Sequence, residues 1–197
     1  MKFTIVIVIG FLILASCNGY KKASETTIKR DEGMQFVANK KENISIKYYG
    51  DYWFHDLTKK VTLNWDQNFI NSIGFNKNKK ALLFTAHTTI DPYCTTIGLS
   101  YKNCLLEETV NDISEHLKKD LKAVNLTTTT ETIGAGTYTK LSYELRNDQN
   151  QVFSKYIEYY STQGGNVLRV VFWSTESNEN WLVNESKAII ETIKSNS

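Results

Sequence analysis

The chain has 197 residues, with 23 Lys and Arg against 21 Asp and Glu, a net charge of +2. A balance so close to neutral excludes nucleic acid as the main partner, because phosphate binding needs concentrated basic charge; the one short basic run, Lys77-Asn78-Lys79-Lys80, reads as a solvated loop. The length suits one ordinary domain with its own core and a short appendage.

The N-terminus has the layout of an export signal. Lys2 supplies one positive charge, Phe3 to Leu14 form an apolar run, and the small residues Ala15 and Ser16 lead to Cys17. As a helix the run would span roughly 18 Å, against about 30 Å of hydrocarbon in a bilayer, so it is short for a permanent span. Leu14-Ala15-Ser16-Cys17 resembles the bacterial lipobox. That resemblance implies that residues 1–16 are a removable signal peptide and that the Cys17 thiol carries a diacylglyceryl group after processing. Two or three acyl chains then hold the protein at a membrane, where a single chain would bind only marginally. Asn18 replaces the Asp that retains some lipoproteins at the inner membrane, which leans the expected location toward the outer membrane of a cell envelope.

Residues 17–43 are polar, with Lys21-Lys22, Lys29-Arg30-Asp31-Glu32 and Lys40-Lys41-Glu42, and they predict a flexible tether with a reach of roughly 25–30 Å. A single α+β domain is expected from residue 44 to 197. Ile44, Ile46 and Tyr48 alternate with polar neighbours and predict a strand; Val61 to Trp65 is a second short apolar run. Ala81 to His87 and Thr95 to Tyr101 predict strands on either side of the Asp91-Pro92 turn. Leu106, Val110, Ile113, Leu117, Leu121 and Val124 recur at helical spacing and predict one long helix from Leu105 to Val124. Glu107 and Glu108 near its start and Lys118, Lys119 and Lys122 near its end suit the helix dipole. Thr127 to Thr132 reads as strand or loop. Tyr138 to Arg146, Val152 to Tyr160 and Val167 to Ser174, joined by short turns, predict an antiparallel meander. A closing helix from Asn178 to Lys194 would bury Trp181, Leu182, Ile189 and Ile193.

Strands, a long helix, a meander and a last helix indicate an α+β fold, an antiparallel sheet covered by helices. The order resembles the PsbP/Mog1 family. The residues that carry the likeness are the opening strand Ile44-Ser-Ile-Lys-Tyr-Tyr-Gly-Asp-Tyr-Trp53, the long helix before three strands, and the closing anchors Trp181 and Ile189-Ile190-Glu-Thr-Ile193. The resemblance implies a sandwich fold and non-catalytic roles in assembly or as an accessory protein. Bacterial relatives in that family include exported lipoproteins.

Catalytic chemistry finds little support. His55, His87 and His116 have no paired metal-ligand spacing, no Gly-x-Ser-x-Gly elbow occurs, and Gly134-Ala-Gly136 precedes a strand rather than a helix. No cofactor, metal or catalytic residue is therefore expected. Cys94 and Cys104 flank a predicted strand that would hold their Cα atoms roughly 25–30 Å apart, whereas a disulfide needs less than about 7 Å. Two reduced thiols are expected. The aromatic excess remains, in the group Tyr48, Tyr49, Tyr52, Trp53 and Phe54 and the group Tyr156, Tyr159 and Tyr160. It reads as core with a partly exposed rim, or as a binding surface in which Tyr49, Tyr52, Trp53 and Tyr159 contact a partner protein of the envelope. A pocket for a small ligand or lipid between sheet and helix is the alternative reading.

Overall fold

The computed structural model describes residues 26–31, 34–39, 44–49, 51–54, 80–88, 94–146, 149, 151–174 and 179–195. Cys17 with the leader, the Val61–Trp65 run, His55 and the Asp91-Pro92 turn lie outside them.

Four strands form a small antiparallel sheet: β1 (Thr26–Asp31), β2 (Met34–Asn39), β3 (Ile44–Tyr49) and, at the far end of the chain, β11 (Lys194–Ser195), in the order β1-β2-β3-β11. The other seven form the main sheet in the order β4-β5-β6-β10-β9-β8-β7. They are β4 (Tyr52–Phe54), β5 (Lys80–Thr88), β6 (Thr95–Tyr101), β7 (Val124–Ile133), β8 (Gly136–Arg146), β9 (Val152–Gln163) and β10 (Asn166–Ser174), and every pairing is antiparallel. Helix α1 (Leu106–Lys119) lies on one face of the main sheet, and helix α2 (Glu179–Glu191) lies on the other, beside the small sheet. The architecture is the expected α+β fold, with helices on an antiparallel sheet.

The central strands are buried on both faces. All seven residues of β6 are buried, the small polar Thr95, Thr96 and Ser100 among them, and β10 is buried from Val167 to Phe172, a run that is apolar but for Arg169. Phe84 of β5 lies across Gly98 of β6, its register partner, and a Cβ at Gly98 would overlap the ring. Glycine here permits a close approach that no other residue allows.

Two differences from the sequence reading concern element ends and the tether. The long helix stops at Lys119, not Val124. Lys122 takes a left-handed conformation (φ 52°), and the Ala123 N–H donates to Leu117 O at 2.9 Å, which turns the chain out of the helix. Leu121 still packs with the helical face, which is why the spacing ran on, but Val124 opens β7. More substantially, β1 and β2 occupy part of the segment 17–43 expected to be a tether. Thr26–Asp31 pairs with Met34–Asn39, which pairs in turn with Ile44–Tyr49. The polar run of β1, Thr-Thr-Ile-Lys-Arg-Asp, hides a strand that is paired through β2 to β3 rather than marked by local pattern.

Candidate binding surface

The four aromatics expected at a partner surface separate into two pairs. Tyr52 and Tyr159 are each only 1% exposed, while Tyr49 is 47% and Trp53 52% exposed. The correction for Tyr52 and Tyr159 has a clear cause: α2 supplies polar partners that let both phenols enter the core. The Tyr52 O–H donates to Glu185 Oε1 at 2.9 Å, and the Tyr159 hydroxyl lies 3.5 Å from Ser186 Oγ. A buried tyrosine is tolerated when its hydroxyl is satisfied.

Around Tyr52 the core carries a small polar cluster. The Tyr48 hydroxyl is 3.2 Å from Thr96 Oγ1, and its ring meets those of Tyr52 and Phe84 edge to face at 5.0 and 5.7 Å. The Cys94 N–H donates to Thr88 Oγ1 at 2.8 Å. Burial pushes the Cys94 thiol up to about 12, so it stays protonated and is a poor nucleophile. Burial also raises the pKa of the Glu185 carboxyl; the Tyr52 hydrogen bond opposes that shift and nearby Asp51 adds to it. Both remaining cysteines are free thiols, as the strand between them requires. The layer between the sheet and α2 is filled by Tyr48, Tyr52, Tyr159, Phe172, Leu182 and Ile189.

The exposed pair sits at a corner. Tyr49 ends β3 and Trp53 lies in β4, an outer strand of the main sheet, with only residues 50 to 52 between them. Four residues of chain span at most about 14 Å. Register places Trp53 opposite His87, His87 opposite Thr95, Thr95 opposite Trp173, Trp173 opposite Tyr156, and Tyr156 opposite Tyr143. Directly opposed residues share a face, so one row rich in aromatics crosses six strands on the face that carries α1. Tyr143 and Tyr156 stack at 4.8 Å with parallel rings, and Tyr156 stacks on Trp173 at 6.1 Å. Tyr143, Tyr156 and Thr95 of this row are buried, Trp173 and His87 are half-buried, and Trp53 at its outer end is exposed. Desolvation lowers the His87 pKa and favours the neutral ring.

Sequence reasoning missed a buried ion pair at the centre of a hydrogen-bonded network. Glu158 and Arg169 are fully buried beneath α1. Arg169 Nε and Nη2 each donate to Glu158 at 2.7 Å, and Nη1 donates to the Tyr101 hydroxyl at 3.0 Å. The Tyr143 O–H donates to Glu158 Oε1 at 2.7 Å and the Tyr160 O–H donates to Oε2, so the carboxylate accepts four hydrogen bonds. The Tyr160 ring also lies 5.6 Å from the Arg169 guanidinium carbon. Both charges are spent on partners inside the core, which suits a structural role. Among the described residues no group of three or more His, Cys, Asp or Glu is arranged to hold a metal. His116 pairs with Asp120 one turn along α1.

No family model and no curated protein matches this chain. Solved structures do resemble it. The cyanobacterial PsbP protein (CyanoP) of Synechocystis sp. PCC 6803 aligns over 84% of this chain and 94% of its own, with a TM-score of 0.56 at 10% identity. A Bacteroides thetaiotaomicron VPI-5482 protein aligns over 79% of this chain, with a TM-score of 0.48 and 9% identity, and this chain spans only 46% of that protein's length. LpqN of Mycobacterium tuberculosis, a protein involved in cell envelope biogenesis, aligns over 59% of this chain and 78% of its own, with a TM-score of 0.39 and 12% identity. The likeness to CyanoP defines the fold as PsbP-like, as the order of elements implied. Among the described residues no helix is long and apolar enough to cross a membrane.

Proposed function

We propose that this chain is a lipid-anchored protein of the bacterial envelope, acting without catalysis by binding a partner protein at the β3–β4 corner. The observation that carries the reading is the exposure of Tyr49 and Trp53 in a domain whose other described tyrosines are buried. Tryptophan and tyrosine are favoured at the energetic centres of interfaces, and Trp53 stands at the outer end of the row that runs through His87 and Thr95 to Trp173. The anchor rests on the Leu14-Ala15-Ser16-Cys17 motif at the end of an export-type apolar run. The satisfied Glu158–Arg169 pair and the protonated Cys94 fit a protein that holds rather than transforms its partner.

A photo-crosslinking residue at position 49 or 53 in living cells is expected to capture one and the same envelope protein, and position 162, exposed on an inner strand, is expected not to. With that protein identified, Trp53→Ala should weaken binding by about thirtyfold, the size of an interface hot spot. Capture that is equal from all three positions would sink the reading. Metabolic labelling with a fatty acid tests the anchor separately: label should enter the wild type and be absent from Cys17→Ser.

A further inference from the structure

We propose that β7 is a self-association edge, at which two copies of the chain join antiparallel through residues 127–133 and merge their main sheets into one. β7 is the terminal strand of the main sheet on the side away from β4, and at ten residues it is a long edge. Thr127 to Thr130 are exposed in sequence, on both faces of the strand, so neither helix reaches this stretch. Leu126 packs with the α1 side and Ile133 with the α2 side, so the strand is fixed at both ends and open in the middle.

Exposed edges normally carry a guard such as Lys, Pro or a bulge. Residues 127–133 contain no Lys and no Pro, and the single irregularity lies between Val124 and Thr127, outside them. The one charged residue, Glu131, is already engaged: Lys140 lies 3.1 Å from Oε1 and Lys187 lies 3.2 Å from Oε2. A strongly β-forming edge whose one charge is already paired is a template for another strand.

The composition selects a second copy as the occupant. In an antiparallel pair, opposed residues must both be hydrogen-bonded or both not, so a two-fold axis must pass through a residue facing its own copy. Placing it at Thr130 uses the whole regular stretch. Thr130 then faces Thr130, Thr128 faces Thr132, Thr129 faces Glu131, and Thr127 faces Ile133. Thr–Thr pairs are favourable and no like charges meet. Attachment of both copies to one membrane would raise their effective concentration further. The inference concerns a different edge from the β3–β4 corner and stands without it.

The test is in-cell oxidative crosslinking of the full chain. Opposed Cα atoms in such a pair lie about 4.5–5.5 Å apart, within disulfide reach. Thr130→Cys is expected to give a disulfide-linked dimer, Thr129→Cys markedly less because it faces Glu131, and Thr162→Cys, exposed on an inner strand, none above wild type. Sedimentation of the purified full chain supplies the second measurement. Wild type should be dimeric, and Thr130→Lys, which sets two lysines face to face, should raise the dimer dissociation constant at least tenfold. A monomeric wild type, a dimer indifferent to Thr130→Lys, or equal crosslinking at 129, 130 and 162 overturns the proposal. So does an adduct between Thr130→Cys and a different protein, which would make the edge a site for a foreign strand.

Discussion

The two faces of the main sheet both bury tyrosines, but they satisfy them differently. Under α1, Tyr101, Tyr143 and Tyr160 surround an ion pair that lies wholly inside the protein. Under α2 and the small sheet, Tyr48, Tyr52 and Tyr159 turn to neutral or half-exposed partners, Thr96, Glu185 and Ser186. The first face is a closed network in which each member depends on the others. The second is an apolar layer with separate polar contacts, each lost with local consequences. A buried charge pair contributes little net stability while it is complete and becomes costly when one partner is removed.

Removing one partner is therefore the harshest test of the contrast. Arg169→Met or Glu158→Leu alone should cost about 3–5 kcal/mol in denaturant unfolding, while the double replacement should recover much of that loss. Equal and additive costs would mean that the network is no more than two independent contacts. On the other face, Gly98→Ala forces a methyl against the Phe84 ring and should cost about 1–3 kcal/mol. The same change in a Phe84→Leu background should cost less, and an unchanged penalty would place the strain elsewhere. Tyr48→Phe removes one hydroxyl and should cost about 1 kcal/mol, with no effect on the Arg169 network.

The smallest effect concerns pH. The Glu185 carboxyl has a raised pKa in the folded protein, chiefly from burial, so folding favours its protonated form. That contribution is complete below the ordinary glutamate value and is lost as pH rises through the raised one. Glu185→Gln keeps a neutral group throughout. Its stability relative to wild type should therefore improve between pH 4 and pH 7, as read from unfolding midpoints at the two values. A constant difference would show that Glu185 does not titrate in that window.

Much of the fold was legible because its signals are local. The α1 stripe and the β8–β9–β10 meander can be read from spacing and turns alone, and the Thr127–Thr132 run was ambiguous only between strand and loop. What was illegible depended on partners distant in the chain. Tyr52 is buried because Glu185 meets it 133 residues later. The strands within 26–39 depend on β3 beside them. The Glu158–Arg169 pair does leave a trace in the sequence. Each charge sits inside a run that is apolar or aromatic at both alternations, Tyr156-Ile-Glu-Tyr-Tyr160 and Val167-Leu-Arg-Val-Val171, and Gly164-Gly165 folds the two runs together. A charge with no polar face to occupy must find its counter-charge across the hairpin. The exposed half of the candidate site, Tyr49 and Trp53, belongs to the four aromatics that the sequence offers, but composition does not separate it from the buried half.

The placement of β1 has a mechanical consequence. In the lipid-anchored reading the chain from Cys17 to Thr26 extends at most about 32 Å, a shorter leash than a tether running to residue 43 would allow. Tension transmitted along that leash arrives first at the outermost strand of the small sheet, at Thr26, the end that pairs with Asn39. Force applied there would open β1 from β2 like a zipper, one rung after another, before the longer pairings of the main sheet yield. The small sheet would act as a yielding coupling between bilayer and core: if the bound partner moves relative to the membrane, the first thing to give is the joint and not the binding surface.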